Sequence, residues 1–154
     1  MPVAHSLLQV REEIAGLADR LSEDDVWARP GGAASIGFHL RHLAGSLDRL
    51  LTYARGESLT GDQRAALDEE ERPRLPSDQL VTLVRSATCA IDRALDQVRA
   101  TPLDTLHQPR PVGRAGLPST VIGLLFHAAE HAQRHAGQII TTAKTAVSVR
   151  QTPY

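Results

Sequence analysis

The sequence predicts an all-α fold, a four-helix bundle of the up-down type with a long loop between its second and third helices. Apolar residues recur at helical spacing in four long segments, and no segment alternates apolar and polar residues as a strand does. Aromatic residues make up only 3% of the chain, so the core must be aliphatic. The 154 residues suffice for one core, and we expect a single domain over residues 1–154.

The first half of the chain contains two of the four predicted long helices. The first covers Ser6–Leu21, where leucines and an isoleucine recur at helical spacing. A short helical turn is predicted from Ser22–Asp25, because serine followed by acidic residues is typical of a helix N-terminus. The second long helix covers Ser35–Ala54, since serine is a good N-cap and Gly56 ends the pattern.

The middle of the chain is predicted to contain a loop, a helix and an irregular segment. Glu57–Pro76 is acidic and reads as a surface loop with a short helix at Gln63–Glu70. Its charge run Asp68–Glu71 is expected to be solvated. The third long helix covers Ser77–Arg99, with serine again as the N-cap. The density of glycine and proline predicts that Pro102–Pro118 is irregular.

The fourth helix starts at Ser119 or Thr120 and carries three histidines at intervals of four residues: His127, His131 and His135. Side chains four residues apart lie on one face of a helix, so the imidazoles form a stripe. The first and last lie about 12 Å apart along the axis. A metal with bonds of about 2.0–2.1 Å to nitrogen can therefore take only one adjacent pair. A further ligand must come from another element, and the second helix offers His39 and His42.

Two other interpretations of the histidines are open. Core histidines hydrogen-bonded to backbone or carboxylate would need no metal. His127 to His131 also matches H-x-x-E-H, the inverted zinc-protease motif. That motif requires an acidic ligand far downstream, and the chain ends too soon to supply one.

Two stretches contain the histidines of the predicted site: His42-Leu-Ala44 within SIGFHLRHLAGSLDRLL, and His131-x-x-x-His135-Ala-Gly-Gln-Ile139. Both stretches resemble the DinB-like (DinB/YfiT) superfamily of metal-dependent enzymes. The preceding GRAGLPSTVIGLLFH is also similar, and the resemblance covers roughly residues 27–140 except the acidic loop. It implies a four-helix bundle, often dimeric, in which three histidines bind a divalent metal, commonly Zn or Ni. Carried over, the metal ligands are His42, His131 and His135.

The apolar stripe of the second helix places His39 closer to the core than His42, by about 60° of helix rotation. The resemblance nevertheless implies His42 as the ligand, which leaves His39 in the pocket or second shell. The same role is expected for four further residues: His127, Ser46, Tyr53 and Gln138. Glu130 lies off the histidine stripe, so it is not assigned as a general base. No other catalytic residue is identified. Three side chains on the second helix could hold an anionic substrate, although solvated positions are the commoner outcome: Arg41, Arg49 and Tyr53.

Three histidine ligands would leave a coordination position open to a water or a thiolate, which is the layout of catalytic metal sites. We therefore expect a small-molecule hydrolase or a low-molecular-weight-thiol S-transferase. Members of the superfamily that the chain resembles include thiol-dependent S-transferases and a mycothiol-dependent isomerase, and most members have no assigned reaction. The alternatives are a non-catalytic metal-binding or stress-response protein, and a helical interaction domain without metal.

Composition argues against nucleic acid and membrane as partners. We expect a small-molecule substrate, such as a low-molecular-weight thiol, and the resemblance implies a homodimer. The net charge is −1 and no basic block is present, which argues against nucleic acid. No apolar run approaches the length of about 18 residues that a membrane helix needs. The lone cysteine, Cys89, is expected in the core and fits a cytoplasmic protein.

Overall fold

The computed structural model describes residues 2–17, 19–70, 72 and 78–151, and these are mostly helical. The helices in chain order are α1 (Pro2–Ala15), α2 (Glu23–Trp27), α3 (Ile36–Ala54), α4 (Gly61–Glu69), α5 (Leu80–Ala100) and α6 (Val121–Gln151). Strands β1 (Pro109–Val112) and β2 (Leu117–Thr120) form a small sheet between α5 and α6. Single 3-10 turns cover Pro30–Gly32 and Leu103–Thr105.

The four long helices pack through aliphatic faces. Helix α3 packs against both α5 and α6, and α1 packs against the same two helices. The largest fully buried side chains are almost all aliphatic: Leu7, Ile14, Ile36, Leu40, Leu43, Leu47, Ile91, Leu125 and Ile139. Burying one such side chain is worth about 1.5–3 kcal/mol, so this core is the main source of stability.

Helix α3 agrees closely with its prediction. The Ser35 side chain accepts a hydrogen bond from the Phe38 backbone, and Gly56 beyond the end of the helix adopts a φ of 81°.

Helix α1 differs from its prediction at both ends. It begins at Pro2, which suits a first helical position, and it ends at Ala15 before Gly16 rather than at Leu21. The predicted capping residues of α2 do form a reciprocal capping box between Ser22 and Asp25.

Helix α5 begins at Leu80, and the predicted cap Ser77 lies outside the described residues. The N-cap residue Gln79 makes no side-chain capping bond. Instead, the Leu80 backbone N–H donates to the Glu23 carboxylate of α2 over 2.8 Å. A residue 57 positions away thus caps this helix, which local sequence patterns cannot indicate.

The prediction of an irregular Pro102–Pro118 segment was wrong for its second half. β1 and β2 pair antiparallel, with Pro109 opposite Thr120 and Val112 opposite Leu117. The connecting turn contains Gly113 and Gly116, both with positive φ. Prolines are compatible with this ribbon because each strand has one unpaired edge, where no N–H is needed.

The structure also bears on the predicted cysteine position and on membrane spans. Cys89 is exposed, so its predicted core position was wrong; it lies on the outer side of α5, next to the buried Ala90 and Ile91. Among the helices of the described residues, none combines the length and apolar character that crossing a membrane requires.

Candidate metal centre

Helices α3 and α6 bring three of the predicted histidines together. His42 of α3 and His131 and His135 of α6 each offer one ring nitrogen, and these nitrogens all lie within 4.8 Å of one another. His131 and His135 are neighbours because they lie four residues apart on one face of α6. His135 is buried, whereas His42 and His131 are half-buried. The cluster therefore lies at the edge of the core.

The spacing of the ring nitrogens suits a metal ion. Nε2 of His42 lies 3.0 Å from Nε2 of His131. Two nitrogens bound tetrahedrally at about 2.0–2.1 Å would be about 3.3 Å apart, close to the observed separation. The ring centroids of His131 and His135 are 4.6 Å apart, as are those of His42 and His135. Three imidazoles converging on one volume form a donor set suited to Zn, Ni and similar divalent ions.

The second nitrogen of His42 is engaged by a carboxylate. Its Nδ1 lies 2.7 Å from Oε2 of Glu70. A carboxylate can only accept, so Nδ1 carries the proton and the Nε2 lone pair of a neutral ring faces His131. Hydrogen bonding of the non-ligating nitrogen to a carboxylate is common for histidines that bind metals.

Glu70 is itself held by Arg49. Arg49 donates from Nη1 to Oε1 over 2.6 Å and from Nη2 to Oε2 over 3.3 Å. Burial alone would raise the pKa of Glu70, but the hydrogen bonds from His42 and Arg49 outweigh it and hold the pKa below its ordinary value. The carboxylate therefore stays ionised at neutral pH, and its charge is balanced locally.

The Glu70–Arg49 pair corrects two predictions. The run Asp68–Glu71 was expected to be solvated, yet Glu70 is only 5% exposed; Glu71 lies outside the described residues. Arg49 was expected on an exposed surface and is 9% exposed. Arg49 follows His42 by seven residues, or two helical turns, which is a weak signal for a shared face. Glu70 follows α4 in the acidic segment, outside α3. Helical spacing therefore cannot indicate that it contacts the face of α3 that contains His42 and Arg49.

His39 contacts the cluster from the core side. It is 5% exposed, and its Nδ1 lies 3.0 Å from Nδ1 of His135. One of these two nitrogens must carry a proton for the contact to be a hydrogen bond. With Nδ1 of His135 engaged in this way, its Nε2 is the nitrogen left to face His42 and His131.

Burial favours the neutral form of three of these imidazoles, those of His39, His131 and His135. It lowers the pKa of His135 to about 3, with further lowering by His42, His131 and His39. Burial, followed by the proximity of His42, also lowers the pKa of His39 and His131. Neutral imidazole is the form that binds metal ions, so the site is prepared for a cation at neutral pH.

The other predicted pocket residues differ in their burial and in their contacts. His127 is exposed and its Nδ1 lies 3.0 Å from Glu130, although its ring centroid is 5.6 Å from that of His131. The Ser46 hydroxyl is buried and donates to the Leu43 carbonyl of its own helix. Tyr53 packs partly buried against the core, and Gln138 is exposed.

A cavity of about 400 Å³ lies beside His42. Its lining combines apolar and acidic side chains: Phe38, His42, Leu67, Asp68 and Glu70. The Phe38 ring stacks on the His42 ring, with centroids 5.6 Å apart and planes 13° from parallel. A small molecule in this cavity would therefore contact the His42 edge of the cluster.

Comparison with known protein families gives a match over most of the chain. Residues 6–139 match the model of the DinB superfamily, a range that includes all three clustered histidines. No curated protein and no solved structure matches the chain.

Proposed function

The chain belongs to the DinB superfamily, and from this premise we propose that it is a metal-dependent enzyme acting on a small molecule. His42, His131 and His135 would hold one divalent ion, with Zn or Ni the best suited to three imidazoles. The observation that carries the proposal is the convergence of three ring nitrogens within 4.8 Å on two separate helices. Family membership supports it independently.

An open coordination position is the reason to propose catalysis. Among the described residues, no fourth histidine, cysteine or carboxylate joins the three nitrogens at that distance. His39 is directed to His135, and His127 pairs with the exposed Glu130. Three protein ligands with a free position are typical of catalytic rather than structural zinc. When bound, the ion would supply a Lewis acid that lowers the pKa of a water or a thiol.

The protein groups around the cluster would orient and select the substrate. Glu70 holds the His42 ring, while Phe38 and Leu67 give the adjacent cavity an apolar wall. Its volume of about 400 Å³ suits a small molecule rather than a polymer. We propose a small-molecule hydrolase or a low-molecular-weight-thiol S-transferase, in which the reacting water or thiol occupies the open position.

A non-catalytic metal-binding or stress-response role is the second candidate. It is favoured by the location of the ligands on two helices, because an ion shared by α3 and α6 would tie them together. Binding energy would then be folding energy.

Three broader features belong to the same proposal. The four long helices would form an up-down bundle, with the acidic segment as its long connection. Two chains would form a homodimer, for which the exposed apolar Ile122 and Phe126 on α6 offer a surface. The protein would act in the cytoplasm, where its lone cysteine stays reduced. Light scattering of the purified protein measures the proposed dimer directly.

Cobalt substitution separates the enzyme from the structural protein. The visible spectrum of the cobalt form should change when a small thiol is added, because thiolate binding at the open position introduces a charge-transfer band. Removing the metal should abolish activity, while circular dichroism should still show a folded helical protein. A cobalt spectrum indifferent to thiols and anions, together with unfolding on chelation, would favour the structural role.

A further inference from the structure

We propose that Glu70 is a positioning residue of the metal site: held by Arg49 above Gly45, it fixes the ring of His42 with the Nε2 lone pair toward His131 and His135. As a statement about metal binding, this inference rests on the proposed function. The contacts that carry it involve side chains of α3 and the residue that follows α4.

Three residues of α3 form the binding position of the Glu70 carboxylate. His42, Gly45 and Arg49 are spaced by three and four residues, so they lie along one face of the helix. Glu70 crosses this face and accepts hydrogen bonds from both ends of the row, from Nδ1 of His42 over 2.7 Å and from Nη1 of Arg49 over 2.6 Å. The donors at the two ends of this row are therefore spaced so that each binds one oxygen of the same carboxylate.

Gly45 makes room for the carboxylate between its two partners. A Cβ atom at this position would overlap Oε1 of Glu70 and lie 2.7 Å from Nη1 of Arg49. Glycine within a helix is less favourable than alanine, because it loses more conformational freedom on folding. At this position the missing side chain allows Glu70 to approach the α3 backbone closely.

The exposure of Glu70 separates this contact from an ordinary surface ion pair. Its side chain is 6% exposed, that of Arg49 is 11% exposed, and that of His42 is 22% exposed. A buried carboxylate is stable only if its charge and lone pairs are matched, and Arg49 provides both the charge and two N–H donors. Arg49 thus acts on His42 through Glu70.

The consequence for His42 concerns both tautomer and orientation. A neutral imidazole can carry its proton on either nitrogen, and only the unprotonated nitrogen can bind a metal. Donation from Nδ1 to Glu70 leaves Nε2 free and fixes the ring plane. Loss of such a partner of a metal-binding histidine typically reduces metal affinity about 10–100-fold.

The decisive experiment compares two double variants of the full chain, because removing Glu70 alone would leave Arg49 buried and unpaired. Arg49→Met/Glu70→Leu removes both charges and leaves His42 no acceptor. Arg49→Met/Glu70→Gln also removes both charges but keeps an amide oxygen at the same place. Zinc affinity, measured by chelator competition, should fall about 10–100-fold in the leucine variant and recover in part in the glutamine variant.

Gly45→Ala tests the contact between Glu70 and His42 without deleting a polar group. Its methyl group should displace Glu70, so zinc affinity should fall in the same direction. Gly137→Ala on α6 is the matched control, since a Cβ there meets no atom within 4 Å. Glu69→Gln is the control for charge, because Glu69 pairs with Arg72 on the surface. Neither control should change zinc affinity.

Equal zinc affinities of the leucine and glutamine double variants, or wild-type affinity in both, would overturn the positioning role. A second readout needs no metal: nitrogen-15 NMR of the metal-free protein should show the His42 proton on Nδ1, and the leucine variant should shift it toward Nε2. If the wild-type protein binds no zinc, the proposed function fails, and this tautomer measurement alone decides the inference. An Nε2-protonated His42 in the wild type would overturn it.

Discussion

The imidazoles of His131 and His135 are surrounded by other ring nitrogens and by the edge of the aliphatic core. Burial is the first cause of their lowered pKa, and neighbouring histidines add to it. In the metal-free protein this arrangement disfavours protonation, because a charged ring would be poorly solvated. The residues that favour a bound cation therefore make the metal-free protein sensitive to acid.

Metal-free protein should lose stability as the pH falls from 7 to 5. The pKa of His135 is about 3 in the folded state. With an ordinary pKa of about 6.5 for unfolded histidine, the unfolded chain binds more protons in this window, and stability must fall with pH. His135 alone accounts for about 2 kcal/mol between pH 7 and pH 5.

Urea unfolding in the presence of a chelator at the two pH values measures this loss. The variant His135→Gln should show a smaller dependence on pH, whereas His5→Ala should retain the wild-type dependence, since His5 is exposed. Equal stability of the wild type at pH 7 and pH 5 would contradict the assignment of buried, neutral imidazoles.

The sequence could predict the histidines but not the residues that hold them. Spacing alone placed His131 and His135 on one face, and the resemblance selected His42 over His39. Glu70 was missed because its partners lie 21 and 28 residues away, and an acidic run gives no sign of which member is buried. Local patterns report on neighbours within a helix, whereas this carboxylate is defined by packing between elements.

At the scale of elements, α2 and α3 are joined through the Trp27 ring. A Cβ atom at Gly37 would approach three atoms of this ring within 2.6–2.8 Å. The same ring lies 5.1 Å below the guanidinium carbon of Arg41. The glycine at the first turn of α3 thus allows α2 to pack closely against it.

Gly37→Ala should destabilise the protein, because a methyl group would force the Trp27 ring out of its packing. Overpacking of this kind typically costs about 1–3 kcal/mol, which outweighs the small gain in helix propensity. Gly137→Ala provides the comparison and should be neutral or stabilising by up to about 1 kcal/mol, since that position is open. Denaturant unfolding of both variants measures the difference. A Gly37→Ala protein as stable as Gly137→Ala would refute the close packing.

Helix boundaries could be predicted where the capping groups are local. Ser35 and Gly56 delimit α3 through their own side chain and backbone, and both were identified from the sequence. The start of α5 depends on Glu23, and the β-hairpin is anchored by Arg110, which donates to the Ala54 carbonyl over 2.9 Å. Such long-range bonds leave no periodic trace in the sequence.

At the scale of the whole molecule, the histidine cluster lies beside the aliphatic core. That core is built where α1, α3, α5 and α6 pack together. The cluster lies where α3 and α6 meet, and its donors are contributed by both helices. The helical fold class and the family could therefore be predicted from periodicity and motif resemblance, and the reacting partner of the site could not.

The metal content of the purified protein is the most direct test of the three-histidine site. Elemental analysis should find one divalent ion per chain, and single substitutions of the three ligands should each remove it: His42→Ala, His131→Ala and His135→Ala. His5→Ala and His107→Ala should retain it, since both side chains are exposed and outside the cluster. Stoichiometric metal in the double variant His131→Ala/His135→Ala, or none in the wild type after growth with zinc and nickel, would contradict the site.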